Sequence, residues 1–103
     1  MTGTSSPPRP AVLLLDSRDT AAVALVPLHP GTAIDIRRGD QALRVVAASL
    51  IPFGHKIAVA AMAAGDPVVK YGEVIGFATA AIRPGEHVHV HNVRSDRAKL
   101  SDG

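Results

Sequence analysis

The apolar positions between residues 11 and 94 come in short runs, and glycine or proline closes almost every one. Two periodicities compete inside those runs. Alternation of the kind seen in AIDIRR predicts half-buried strands, whereas in the alanine-rich stretch IAVAAMAAG one or two helical turns are the lesser alternative to a strand. Residues 11–15, 22–26, 33–37, 42–47, 56–60, 67–69, 75–80 and 86–90 read as strands, with a hairpin about Gly39-Asp40 in IRRGDQALRV. Three segments share the form apolar-x-x-Gly-x-x-apolar: LHPGTAI (28–34), MAAGDPV (62–68) and IRPGEHV (82–88). Each predicts a turn whose glycine takes a positive φ, followed by a strand two residues later. The expected fold class is mainly β, with at most one or two short helical turns.

The first ten residues, MTGTSSPPRP, are rich in Ser, Thr and Pro and predict a flexible leader; residues 95–103, SDRAKLSDG, predict a flexible tail. One domain over residues 11–94 remains. At 103 residues the chain supports a single modest core but is short for a deep enclosed active site, so an enzymatic role points to a site shared with a partner. With only Phe53, Tyr71 and Phe77 as aromatics the core is aliphatic, and a base-stacking platform for nucleic acid is absent. The net charge of +2 is dispersed, which argues against a polyanion partner. There is no cysteine, which excludes disulfides and thiolate metal sites. The apolar runs are too short for a membrane span, and the expected location is cytoplasmic.

Three polar clusters carry candidate chemistry. The first is RPGEHVHVHNV (83–93), which holds three of the five histidines at alternate positions. On a strand, His87, His89 and His91 share one face. At about 3.3 Å per residue, His87 and His89 lie roughly 6.6 Å apart at Cα and His87 and His91 roughly 13 Å apart. Two neighbours can therefore chelate one ion at about 2.1 Å, but all three cannot unless the strand bends. Two adjacent members of the row are candidate metal ligands, with His55 and Glu73 as groups the fold could add, and the third histidine is left for proton transfer or substrate contact. A polar strand face turned to water is the bland alternative. The second cluster, IPFGHK (51–56), presents His55 and Lys56 from a Pro/Gly turn, where a merely connecting turn is the alternative. The third, VVKYGEVIG (68–76), sets Lys70, Tyr71 and Glu73 in a Gly-bounded turn and offers Lys70 as an anchor for a substrate carboxylate, with a solvated turn lysine as the alternative.

Taken together, GHK (54–56), KYG (70–72), the IG of Ile75-Gly76 followed by Ala78, and GEHVHVHN (85–92) resemble the N-terminal SAF-type domain of the altronate and galactarate dehydratases. The same module forms the small subunit of two-component members, including sulfolactate sulfo-lyase. The resemblance spans about residues 11–94 and implies a β-clip fold. It further implies a metal-assisted β-elimination, usually loss of water from a sugar acid, in which a divalent cation, iron or manganese, stabilises charge next to the substrate carboxylate. The cation can be held mainly by the large subunit. His55 and His91 are then the candidate catalytic acid and base, Lys56, Lys70 and Tyr71 the substrate-binding residues, and His87 and His89 the metal ligands. The implied partners are a large catalytic subunit and a sugar acid, with no nucleic acid and no membrane and homo-oligomerisation open. The chain alone is expected to be inactive. A non-catalytic sugar-binding or assembly module, or a sulfonate-eliminating subunit, are the rival readings.

Overall fold

Nine short strands and no helix make up residues 10–95, the part of the chain that the computed structural model describes. The predicted leader and tail lie outside the described residues, apart from Pro10 and Ser95. The strands are β1 (Val12–Leu13), β2 (Ala21–Ala24), β3 (Ala33–Arg38), β4 (Gln41–Val46), β5 (Lys56–Ala58), β6 (Pro67–Lys70), β7 (Glu73–Ala78), β8 (His87–Val88) and β9 (Val93–Arg94). All pairings are antiparallel, in a four-stranded sheet of order β1-β2-β5-β8, a β3-β4 hairpin and a three-stranded sheet of order β6-β7-β9.

The four-stranded sheet lies between two cores. Ala22 and Ala24 of β2 and Ile57 of β5 join Ile34, Ile36 and Val45 from the hairpin, while Ala21 and Ala58, on the opposite pleat, join Val68 and Ala78 from the three-stranded sheet. Successive side chains of β2 and β5 thus serve different cores. Both faces being covered explains why AAVAL and KIAVA carry no alternation. The strand expected over 56–60 forms only as Lys56–Ala58; the rest of IAVAAMAAG is bend and turn, and the helical alternative does not form.

The three predicted turns all form, with Gly31, Gly65 and Gly85 at φ 85°, 90° and 96°. A fourth copy, IPFGHKI (51–57), escaped the sequence reading although its spacing is the same; Gly54 has φ 84°. In each turn the residue after glycine donates its N–H to the carbonyl two before it, as in His55 to Pro52 at 3.0 Å. The structure also extends the motif backwards, to Ala-x3-apolar-x2-Gly-x2-apolar beginning at Ala24, Ala47, Ala58 and Ala78. The copies pair reciprocally. Gly31 N–H donates to Ala47 O and Gly54 N–H to Ala24 O, both at 2.8 Å, around a Leu28–Ile51 bridge; Gly65 N–H donates to Ala78 O at 2.7 Å and Gly85 N–H to Ala58 O at 2.8 Å, around a Met62–Ile82 bridge. All four alanines are buried to 1% exposure or less, because the turn's backbone lies against them and leaves no room for a larger side chain.

The register around β8 differs from the expected strand over 86–90. Pairing with β5 is confined to Lys56–Val88 and Ile57–His87, after which residues 89–92 form a turn and β9, not foreseen in the sequence, begins. Asn92 makes that turn: its Oδ1 accepts the His89 N–H at 2.9 Å, its Nδ2 donates to His87 O at 2.9 Å, and its own N–H donates to His89 O at 3.1 Å.

Candidate functional site

The pairing of β5 with β8 brings two of the four turn motifs together, and with them the histidines they carry. His55, the last residue of the 52–55 turn, and His87, two residues beyond Gly85, approach to 2.9 Å between Nδ1 and Nε2. His89 stacks on His55 with ring centroids 4.1 Å apart and planes 16° from parallel. One ring nitrogen from each of His55, His87 and His89 lies within 4.8 Å of the other two. Two nitrogens bound at about 2.1 Å and at right angles on one ion would stand about 3 Å apart, so the His55–His87 spacing suits neighbouring positions on a shared cation.

Charge state supports the same use. Partial burial, followed by the neighbouring histidines, His55 first, and then Lys56, lowers the pKa of His87 below 6.5. Burial, then His55, Lys56 and His91, lowers that of His89. Both shifts favour the neutral ring, the form that binds metal. All three histidines are half-buried, and among the described residues no carboxylate belongs to the group. A set of three imidazoles fits iron(II) better than manganese, which prefers oxygen donors.

The sequence reading had placed His87, His89 and His91 along one strand face and limited an ion to two of them. β8 ends at Val88 and the chain turns over residues 89–92, so the straight-strand premise behind the roughly 13 Å Cα spacing ends before His91; its ring centroid lies 5.3 Å from that of His87. His91 stays outside the three-histidine group and is exposed, lining a shallow cleft with Glu86, His87 and Asn92. Glu73 opens β7 opposite Lys70 and is exposed; it does not belong to the histidine group.

A second cleft, of about 420 Å³, adjoins the histidines. Lys56, Lys70 and His89 line it, with Ile75, Val88, Val90 and Val93 as apolar wall. The pleat explains the arrangement: His55 and Ile57 project to one side of β5, and Lys56 projects to the other, beside its register partner Val88. His89 is common to the cleft and the metal-binding group. Burial, and then the charge of Lys70, lowers the pKa of Lys56. Among the described residues no acidic side chain lines the cleft, and the two lysines share it. Tyr71 does not line it; its ring lies beneath Lys70, with Nζ 4.7 Å from the centroid.

Sequence reasoning missed Asp19. It is 1% exposed and is the one buried charged residue among the described residues. Its Oδ2 accepts the N–H groups of Leu15 and Asp16 at 3.2 and 3.1 Å, and its Oδ1 accepts the Gly72 N–H at 2.8 Å. The usable signal was an acid directly preceding an apolar strand, in the turn-forming context DSRDT.

Comparison with known proteins agrees with this picture. Residues 10–96 match the family described as altronate/galactarate dehydratase SAF domain. The chain is 42% identical over 82 residues to altronate dehydratase of Escherichia coli K12, a match covering 80% of this chain and 16% of that protein. It is 45% identical over 58 residues to the (2R)-sulfolactate sulfo-lyase subunit alpha of Chromohalobacter salexigens, covering 56% of this chain and 62% of the relative. To the subunit alpha of Paracoccus pantotrophus it is 46% identical over 54 residues, covering 52% of this chain and 81% of the relative. The chain thus spans about a sixth of the dehydratase and about three fifths of the first sulfo-lyase subunit. Since the family match runs through both paired-turn units and includes every histidine and lysine described above, the chain belongs to the altronate/galactarate dehydratase SAF domain family, whose named relatives are lyases.

Proposed function

We propose that this chain contributes a histidine and lysine face to a metal-assisted lyase site completed by a larger catalytic chain, eliminating water from a sugar acid. The observation that carries the reading is the convergence of His55, His87 and His89 beside a cleft holding Lys56 and Lys70. In this reading His55, His87 and His89 hold a divalent metal, which when bound polarises a substrate oxygen. Lys56 and Lys70 receive the substrate carboxylate as charge-assisted donors. β-Elimination breaks a C–H bond next to that carboxylate and a C–O bond one carbon further on; a base takes the proton, and an acid protonates the departing hydroxide. In this reading His91 makes one of these proton transfers; its exposure and its 5.3 Å ring-centroid distance from His87 support that role. His55 had been assigned proton transfer from the sequence; its 2.9 Å approach to His87 favours the ligand role. The absence of a deep cavity among the described residues supports a partner that closes over the face, as expected for a chain inactive by itself.

A second reading, elimination of a sulfonate, is favoured by the 45% and 46% identities to the two sulfo-lyase alpha subunits. One experiment tests both. The chain is co-expressed with a large catalytic chain of the same family and assayed on altronate, galactarate and sulfolactate; dependence of turnover on this chain, and its loss in His89→Ala, are expected. Turnover that is unchanged when this chain is omitted defeats the proposal, and the substrate that turns over separates the two readings.

A further inference from the structure

The turn that presents Lys70 is built against conformational preference. Lys70 and Glu73 pair across a two-residue loop whose central residues, Tyr71 and Gly72, have φ 55° and 78°. Loops with two consecutive left-handed residues favour Asn-Gly, Asp-Gly or Gly-Gly. Tyr71 is the sole non-glycine residue with positive φ among the described residues. Its ring does not repay this in packing, since the residue is 37% exposed and belongs to neither core.

The neighbouring segment holds the loop in place. The buried Asp19 carboxylate accepts the Gly72 N–H, Thr20 Oγ1 accepts the Val69 N–H at 3.0 Å, and Thr20 N–H donates to Val69 O at 3.0 Å. Gly72 sits so close beneath the Asp16–Arg18 ion pair that a Cβ there would lie 2.7 Å from Asp16 Oδ2. The loop therefore has one conformation, and in it the Tyr71 ring lies under the Lys70 ammonium.

We infer that Asp19 is a positioning residue: by fixing the Tyr71-Gly72 loop it sets the Tyr71 ring as a support that holds Lys70 at a defined place in the cleft shared with Lys56 and His89. The inference rests on the reading of that cleft as the anion site. A free lysine would lose rotamer freedom on meeting an anion, whereas one already held over a ring loses less.

The test uses the full chain. The only tyrosine is Tyr71 and there is no tryptophan, so its ring resonances and fluorescence report on this loop without interference. In the wild type, the ring current shifts the Lys70 side-chain protons upfield; in Asp19→Asn, with the rest of the spectrum dispersed as before, that shift collapses. Galactarate serves as the anion probe. Asp19→Asn and Tyr71→Asn are each expected to weaken its binding by about tenfold, yet Tyr71→Asn raises the urea midpoint, by roughly 0.5 M, because Asn tolerates the left-handed conformation. A merely structural role would move stability and affinity together. An unchanged Lys70 shift in folded Asp19→Asn, or wild-type galactarate affinity in Tyr71→Asn, overturns the inference. Should Asp19→Asn fail to fold, Tyr71→Asn decides it alone. A wild-type chain with the Lys70 shift but no galactarate binding defeats the anion-site reading instead, and the shift then judges the positioning by itself.

Discussion

Replacing the four turn glycines by alanine, one at a time, separates what the backbone conformation costs from what close packing costs. All four have nearly the same dihedral, φ 84° to 96°. An alanine in the left-handed region costs about 1–2 kcal/mol, and the stiffer unfolded chain returns about 0.4–1 kcal/mol of that. At Gly31, Gly54 and Gly65 nothing lies within 4 Å of an added Cβ, so the conformational cost stands alone and the net loss is about 1 kcal/mol. At Gly85 the added Cβ would lie 2.0 Å from Val46 O and 3.1 Å from Val46 C. That carbonyl has to retreat by roughly 1.5 Å to reach an ordinary contact. Val46 is bonded to Ala47, whose N–H and C=O tie it to Thr32 and Gly31, while Ala48 N–H donates to Gly85 O itself. Loosening two or three such bonds at about 1 kcal/mol each brings the loss for Gly85→Ala to about 3–4 kcal/mol. For a domain stable by about 5–15 kcal/mol this is a large part of the whole. Urea unfolding followed by far-ultraviolet circular dichroism, with linear extrapolation, measures all four. A Gly85→Ala loss within 0.5 kcal/mol of the Gly54→Ala loss would refute the packing account.

Three further outcomes are expected. Asp19→Ala strands the N–H of Gly72 and exposes those of Leu15 and Asp16 to water, for a loss of about 2–4 kcal/mol in urea unfolding; a loss below 1 kcal/mol would show that the carboxylate is dispensable. His87 and His89 have pKa values lowered from 6.5 in the folded chain, so the unfolded chain binds protons first on acidification. The metal-free protein should hold constant stability from these groups above pH 6.5 and lose it as pH falls below 6.5, with the dependence reduced in the His87→Gln/His89→Gln double variant; a urea midpoint that rises between pH 6.5 and 5.5 contradicts this. Asp16, held down at about 2 by its hydrogen bonds to Arg18, does not titrate in that window. Iron(II) at a hundredfold excess over its dissociation constant should add about 2.7 kcal/mol to the stability of the wild type and much less to His55→Ala or His87→Ala, read anaerobically by the same melts; equal stabilisation of all three would remove the metal from these histidines.

Most of the local geometry was legible in the chain itself. Glycine in apolar-x-x-Gly-x-x-apolar predicted positive φ at Gly31, Gly65 and Gly85, and Gly39-Asp40 predicted the β3-β4 hairpin, in which Gly39 takes φ 57°. These features depend on steric preferences within a few residues. The clusters GHK, KYG and GEHVHVHN were also enough to point to the family that the comparison then showed. Strand ends were read less well. IAVAAMAAG has no period to betray a strand buried on both faces, and β8 is cut short by the Asn92 side chain, whose effect is invisible to an alternation of His and Val.

The sequence by itself determined three turns of one kind, and the same spacing at 51–57 holds a fourth; the small alanine ahead of each was recognised only in the structure. Which turn hooks onto which alanine was decided only by the tertiary structure. The motif beginning at Ala24 pairs with the one at Ala47, and that at Ala58 with that at Ala78, since each glycine N–H finds its acceptor up to 30 residues away, where local propensity carries no information. The site follows from the same choice. His55 and His87 are 32 residues apart in the chain and meet at 2.9 Å because β5 pairs with β8, a contact set by two cores closing on one sheet and not by any spacing among the histidines.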